Sequence, residues 1–369
     1  MVAAVQERDL AAHGGPDALG VPRFDFSTNS NSGGPCPLAW AAVQQADASR
    51  YPDPNYTALR ALLANFHAVQ VDRVLLGASA SEFIHRISAW VARQGGQTVA
   101  LPAYHYGDYA RAAQAWGLRP VSTPAHAALL WACEPCSPRG QAQPGLADWV
   151  RDLQPHQTLA LDRAYAPLRL CGRCSLQESG LDRVWQLFTP NKALGLTGVR
   201  AAYAIAPRDA LLPRPGGQAS VVQALIRLAP SWPLGVHGVA LLQAWVQADV
   251  QAWLADSLGV LRDWKAQQIA MLQGQGWQVQ PSEANYFCAK PALPVGMDWL
   301  AWLAHLRTRG IKLRDATSFG LSGWVRLGVL APQAQDALRV ALLMDQVRVD
   351  KPTRFEVDEM NHTSLGMSP

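Results

Sequence analysis

No stretch of this 369-residue chain approaches the ~20 uninterrupted apolar residues that a membrane-spanning helix needs, so no membrane partner is expected. Runs of one charge are also missing. The 32 basic and 28 acidic residues leave a net charge of +4 with no basic stripe, which argues against a nucleic-acid partner and suits a phosphate-bearing small molecule. There is no internal repeat and no low-complexity tract. The opening Met1-Val2-Ala3-Ala4-Val5-Gln6-Glu7-Arg8-Asp9 lacks a cationic segment leading into an apolar one, so export is not expected and the cytoplasm is the expected location. Cysteine is scarce, at six residues, yet four of them form the pairs Cys133-Glu134-Pro135-Cys136 and Cys171-Gly172-Arg173-Cys174. Two such pairs can build a tetrahedral zinc site or act in redox chemistry. Here 34 residues separate them, against the ~15–20 usual for zinc, so reduced thiols and no metal are expected.

What is present is an apolar fraction of 49% with 14 tryptophans, enough for a well-packed protein. The length implies one large and one small domain. From Val74 onward, short apolar runs alternate with helical patterns. Strands are expected at Val74-Leu75-Leu76, Thr98-Val99-Ala100-Leu101, Leu129-Leu130-Trp131-Ala132, Leu159-Ala160-Leu161 and Trp185-Gln186-Leu187-Phe188. Such alternation predicts an α/β fold with a mainly parallel sheet covered by helices. Helical spacing between about Val236 and Leu272 predicts one long connecting helix into a smaller α+β C-terminal domain. That domain contains a strand near Tyr286-Phe287-Cys288, a helix from Trp299 to Arg309 and a strand at Trp324-Val325-Arg326-Leu327. The expected divisions are an N-terminal arm with part of the small domain over 1–45, a large domain over 46–245, a small domain over 246–350 and a loose tail over 351–369.

The chemistry centres on Lys192, in Thr189-Pro190-Asn191-Lys192-Ala193-Leu194-Gly195-Leu196-Thr197-Gly198-Val199-Arg200. Thirty residues upstream, Asp162 closes an apolar run and Tyr165 follows three positions later. Asp, Tyr, Lys and Arg in this order could serve an aldehyde cofactor that bonds covalently to a lysine. The aspartate would hold a ring nitrogen protonated, the tyrosine would bond a ring oxygen, and the arginine would hold a phosphate. A helix-capping aspartate is the plain alternative for Asp162.

These residues resemble the pyridoxal-phosphate enzymes of the aspartate-aminotransferase fold, fold type I, over about His13 to Leu343. Lys192 to Arg200 is close to that family's K-x-x-x-L-x-G-x-R, and Asp162 and Tyr165 match its D-x-x-Y. Within the fold, the chain is similar to the branch holding histidinol-phosphate aminotransferase and L-threonine-O-3-phosphate decarboxylase. The resemblance implies pyridoxal 5'-phosphate as cofactor, with Lys192 as the covalent anchor and proton-transfer base. It implies cofactor contacts from Ala78, Ser79 and Ala80 at a helix N-terminus, and from Thr189, Asn191 and Arg200. Tyr106 would stack on the ring, with Tyr104 and Tyr109 competing for that role. Tyr51 matches the tyrosine lent to a partner subunit's phosphate, so a homodimer with shared active sites is implied. Some positions depart from the pattern. Ser137 stands for the asparagine expected at the ring oxygen, Arg163 for a glutamate, Asn191 for a serine before the lysine, and Ala202 for a glycine.

Substrate anchors decide the reaction on this cofactor. Arg326 matches the arginine that clamps a substrate carboxylate, and Arg314 an extra arginine of the decarboxylase branch that helps bind a phosphate. His13-Gly14-Gly15 and Asp25-Phe26-Ser27-Thr28-Asn29-Ser30-Asn31 resemble that branch's H-G-G and D-F-S-x-N-x-N, which puts His13, Gly14 and Asn31 on the substrate. A flexible arm with a lone histidine is the alternative. The resemblance therefore implies decarboxylation of L-threonine O-3-phosphate to (R)-1-amino-2-propanol O-2-phosphate, in cobalamin biosynthesis. Aminotransfer from histidinol phosphate or a related phosphorylated amine is the runner-up, and a non-catalytic regulator of the same fold is a third reading.

Overall fold

The computed structural model describes residues 13–293 and 296–349; the expected tail over 351–369 and the first part of the arm lie outside the described residues. The arm folds back in a tight turn between Asp17 and Gly20 and then enters a short strand, β1 (Phe24–Asp25). Helix α1 (Pro37–Gln44) opens with proline at its first turn, where the missing N–H costs nothing. Helix α2 (Thr57–Phe66) leads to the first strand of the main sheet, β2 (Val74–Gly77), all four residues of which are buried.

There follow α3 (Ala80–Arg93), β3 (Thr98–Ala100), α4 (Gly107–Ala115), β4 (Arg119–Val121), β5 (Leu129–Cys133) and α5 (Leu146–Arg151). Next come β6 (Thr158–Asp162), α6 (Glu178–Leu181), β7 (Trp185–Phe188) and β8 (Ala202–Ile205). The seven strands lie in the order β2-β8-β7-β6-β5-β3-β4. Pairings from β4 through β7 are parallel, while β8 runs antiparallel to β7 and β2. Burial on both faces explains why β5 and β6 read as unbroken apolar runs rather than alternating ones. Phe83, Ile84, Tyr109 and Trp131 pack together on one side of the sheet, and Leu76, Phe188 and Tyr203 belong to a second core.

The chain continues through α7 (Val221–Arg227), α8 (Val236–Trp245) and α9 (Ala248–Gly274). The single long helix expected from Val236 is therefore two. Trp245 at the end of α8 donates from Nε1 to Tyr203 Oη at 3.1 Å, which ties that end to β8. Gln247 then turns extended, at φ −74° and ψ 139°, and α9 starts as a separate helix. Periodicity cannot see a break of two residues that leaves the apolar pattern intact.

The small domain comprises β9 (Gln278–Val279), β10 (Tyr286–Lys290), α10 (Trp299–Thr308), β11 (Ile311–Lys312), β12 (Arg314–Asp315), β13 (Val325–Gly328) and α11 (Pro332–Val349). Four of these strands form an antiparallel sheet in the order β12-β13-β10-β9, and β1 pairs in parallel with β11. The arm thus completes the small domain. It is also stitched to the loop after Lys192: Asn31 N–H donates to Lys192 O and Cys36 N–H to Leu194 O, both at 2.9 Å. Gly195 sits at φ +70°, and a Cβ there would come within 2.6 Å of Gly34 O, so this close approach requires glycine.

Candidate active site

Lys192 faces a cavity of about 340 Å³ whose walls come from the arm, the carboxyl ends of the sheet strands and the small domain. Carboxyl ends of parallel strands are where open α/β sheets place ligands. Asp162 is the last residue of β6 and is 5% exposed. Its Oδ1 accepts from Ala164 N–H at 2.9 Å and its Oδ2 from Tyr109 Oη at 2.8 Å. Burial raises the pKa of this carboxyl, while those two donors and the charge of Lys192 oppose the rise. Lys192 Nζ is 3.4 Å from Thr189 Oγ1 and 5.4 Å from the Tyr165 ring centroid. Among the described residues no carboxylate is ion-paired to it. Tyr165 lines the cavity and packs edge-on against Tyr286, with centroids 4.7 Å apart.

The three competing tyrosines separate cleanly. Tyr106 lines the cavity, its Oη 3.4 Å from Ser81 Oγ, and burial pushes its pKa up. Tyr109 lies behind it, fully buried and stacked on Trp131 at 5.0 Å, with its hydroxyl on Asp162. Tyr104 packs beside Phe319 and Trp324 in the small cluster that includes Cys288.

At the N-terminus of α3, Ala78, Ser79 and Ala80 line the cavity. The Ala78 N–H, however, already donates to Glu82 Oε2 at 2.7 Å, and Ser79 Oγ caps the helix by accepting from Glu82 N–H at 3.1 Å. The Ser79 hydroxyl hydrogen and the remaining first-turn amides are what this terminus offers an anion. Arg86 neutralises Glu82 at 3.2 Å. Thr189 and Arg200 also line the cavity.

Two sequence-based assignments change. Asn191 lines the cavity, but its amide donates to Thr197 O at 3.4 Å and Val199 O at 3.1 Å, so it braces the lysine loop instead of offering donors. Asn31 is likewise a brace, bonded to Ala193 O at 3.0 Å, Ser257 Oγ at 2.8 Å and Gly33 N–H at 3.0 Å. The cavity is lined instead by Asn29, which is 2% exposed and has both side-chain amide atoms without a partner among the described residues. The D-F-S-x-N-x-N pattern offers two asparagines, and only the docking of the arm selects between them. Tyr51 does not reach the cavity of its own chain: it is 80% exposed, stacked on Trp232 at 4.6 Å, and borders a groove between α1, α2 and α8.

His13 and Gly14 reach the cavity from the arm. Asp17 latches that arm to the small domain by accepting from Arg307 at 2.8 and 2.9 Å and pairing with Lys312 at 3.0 Å. Arg326 is 7% exposed, donating to Ser27 O at 2.9 Å and to Ser137 Oγ at 3.3 Å. Ser137 is thus tied to the arginine that it adjoins. Arg314, directly opposite Arg326 across β12 and β13, donates to Asp315 O and Ser318 Oγ, each at 2.7 Å. Arg163 points away from the cavity, stacked on Phe188 at 5.0 Å and bonded to Gln186 at 2.6 Å.

The two cysteine pairs do not assemble a metal site, and among the described residues no group of three or more His, Cys, Asp or Glu side chains could hold an ion. Cys133 and Cys136 are buried and Cys171 is exposed. Among the described residues no helix is long and apolar enough to cross a membrane.

The sequence pattern of class I and II aminotransferases matches residues 22–134 and 127–342. The chain belongs to this family. A histidinol-phosphate aminotransferase of Jannaschia sp. (strain CCS1) is 29% identical over 356 residues, covering 90% of this chain and 92% of that protein. Histidinol-phosphate aminotransferase from Sinorhizobium meliloti, in complex with pyridoxal-5'-phosphate, superposes with a TM-score of 0.71 at 21% identity, over 87% of this chain and 90% of that one. L-threonine-O-3-phosphate decarboxylase from Porphyromonas gingivalis gives 0.71 at 17% identity, over 88% and 99%. These superpositions establish the fold type I architecture.

The cofactor of this family is pyridoxal 5'-phosphate, and the residues present fit it. A buried carboxylate retains acceptor capacity on both oxygens, an amine without an acid partner faces the same space, and a helix terminus with an arginine stands ready for an anion.

Proposed function

We propose that this protein is a pyridoxal-phosphate enzyme whose substrate is a small amine or amino acid carrying a phosphate ester. The observation that supports this reading is the convergence of two buried arginines, Arg314 and Arg326, with the arm residues His13, Gly14 and Asn29 in the cavity of Lys192. Bound there, the cofactor makes the bonds at the substrate's Cα breakable by drawing their electrons into its ring. Asp162, held by Tyr109 and Ala164, would keep the proton on the ring nitrogen. Tyr165 would bond the ring oxygen, and Ser79, Thr189 and Arg200 would hold the phosphate. Arg326 would grip one anionic end of the substrate by a forked bond while Ser137 fixes its orientation. Arg314, His13 and Asn29 would receive the other end, and the Lys192 amine would carry the proton to or from Cα.

For the bond that breaks, aminotransfer has the support of the named relatives, several of which are histidinol-phosphate aminotransferases. A second reading, decarboxylation of L-threonine O-3-phosphate, is favoured by the placement of His13, Gly14 and Asn29 beside the two arginines. That substrate presents a carboxylate at one end and a phosphate at the other. Histidinol phosphate presents a single anionic end, although a dicarboxylic amino donor would occupy both. The test is direct. Purified holoenzyme is given L-threonine O-3-phosphate with carbon dioxide detection, and separately histidinol phosphate with 2-oxoglutarate. Carbon dioxide release supports the lyase, glutamate formation the transferase, and silence in both sinks the phosphorylated-substrate reading.

The same reading makes the protein a cytoplasmic homodimer in which Tyr51 serves the partner subunit. Its 80% exposure outside its own cavity supports that role. Sedimentation showing only monomer under assay conditions would remove it.

A further inference from the structure

One aromatic ring lies under both substrate-facing arginines. Arg314 Cζ is 4.8 Å from the Phe319 ring centroid and Arg326 Cζ is 5.4 Å from it. Phe319 lines the cavity and is only 8% exposed. Charge makes this arrangement informative. Arg314 and Arg326 are register partners in an antiparallel pair, where like charges directly opposite one another repel. Burial, with the charge of Arg326 second, lowers the pKa of Arg314 to about 10, so Arg314 stays cationic near neutrality.

Two repelling side chains of this length splay unless something holds them. Each is tied separately, Arg326 to Ser27 O and Ser137 Oγ, Arg314 to Asp315 O and Ser318 Oγ. Phe319 touches both, and the negative face of its ring attracts each cation within the ~6 Å reach of such contacts. The ring is itself fixed. Phe319 N–H donates to Ala316 O at 3.0 Å, and the side chain packs in a cluster with Cys288, Ala316, Leu321, Tyr104 and Trp324.

We propose that Phe319 is a positioning residue that fixes the separation of two anion subsites, one at each arginine, and so selects substrates by the spacing of their two anionic groups. This rests on the reading of Arg314 and Arg326 as substrate clamps. A side chain of equal bulk without the ring face leaves both arginines in place but frees them to drift, so discrimination by length is lost while affinity for a lone anion survives.

The experiment uses the holoenzyme and unreactive ligands. Titration calorimetry with malonate, succinate, glutarate and adipate reads the spacing without turnover, and inorganic phosphate reports on a single anion. In wild type, one chain length is expected to bind about tenfold tighter than its neighbours. In Phe319→Leu the series flattens to within about threefold, with phosphate affinity changed by no more than about the same factor. Phe319→Tyr, which keeps the ring, restores the preference. A preference that survives in Phe319→Leu, or a wild type without one, overturns the proposal. If Phe319→Leu does not fold, judged by bound-cofactor absorbance, Phe319→Met carries the same comparison. Failure of the underlying functional reading looks different: neither phosphorylated substrate reacts, while the dicarboxylate series still reports on Phe319.

Discussion

Replacing Tyr109 with phenylalanine isolates a single hydrogen bond under the cofactor site. The ring keeps its place, stacked on Trp131 at 5.0 Å and 3° in a fully buried position, so no cavity opens. What disappears is the 2.8 Å donation to Asp162 Oδ2, leaving the carboxylate with the Ala164 N–H alone. A hydrogen bond to a charged group contributes about 1.5–3 kcal/mol, and the loss falls on an oxygen that water cannot easily reach. The expected cost in the apoprotein is therefore about 2 kcal/mol, seen as a lower urea midpoint with an unchanged slope. The sign of the pH dependence follows from the burial that raises the Asp162 pKa. A folded pKa above the unfolded one gives stability that is present at low pH and lost as pH rises through the folded value. Removing the tyrosine donor raises the folded pKa further. The variant's deficit is thus larger at a pH where the carboxyl is ionised than at a lower pH where it has taken up its proton and needs no donor. Urea denaturation of the two apoproteins at both pH values measures it. A deficit under about 0.5 kcal/mol at the higher pH, or one that does not change with pH, would refute the reasoning.

Other substitutions report on separate parts of the molecule. Lys192→Ala should fold and still bind cofactor, but borohydride should no longer fix that cofactor to the chain, as mass spectrometry will show. Asn29→Ala should change apoprotein stability by less than about 0.5 kcal/mol, because its amide has no partner to lose, whereas Asn31→Ala, which breaks three bonds, should cost about 2 kcal/mol or more; thermal unfolding separates the two. His67 is held neutral by burial, with the charge of Arg163 second, at a pKa of about 4. Its folded pKa lies below the unfolded 6.5, so stability is full above that value and falls with pH between 6.5 and 4, by at most about 3 kcal/mol. His67→Phe should flatten that limb of the stability profile.

How much was legible beforehand varies from element to element. Strands β5, β6 and β7 and helix α3 were readable because a both-faces-buried strand leaves an unbroken apolar run, and because Ser79 and Glu82 make a capping pattern. Strand β4 was not, since Arg119-Pro120-Val121 is largely exposed at the sheet edge and carries no apolar signal. Strand β8 was also missed, and its Ala202-Tyr203-Ala204-Ile205 gives only a short apolar run. At the site, Asp162, Tyr165, Lys192 and Arg200, read together from the sequence, all line one cavity.

Local chemistry by itself therefore determined which residue types could serve a lysine-bound cofactor, because strand ends and tight turns fix where such side chains point. Only the tertiary structure decided which member of each competing set faces the ligand. Tyr106 was separated from Tyr104 and Tyr109, and Asn29 from Asn31, by contacts with residues far away in sequence. The same holds for the pairing of Arg314 with Arg326 over Phe319, which depends on the register of two strands and a turn. Register is set by which face a whole sheet buries, and no window of sequence contains that information.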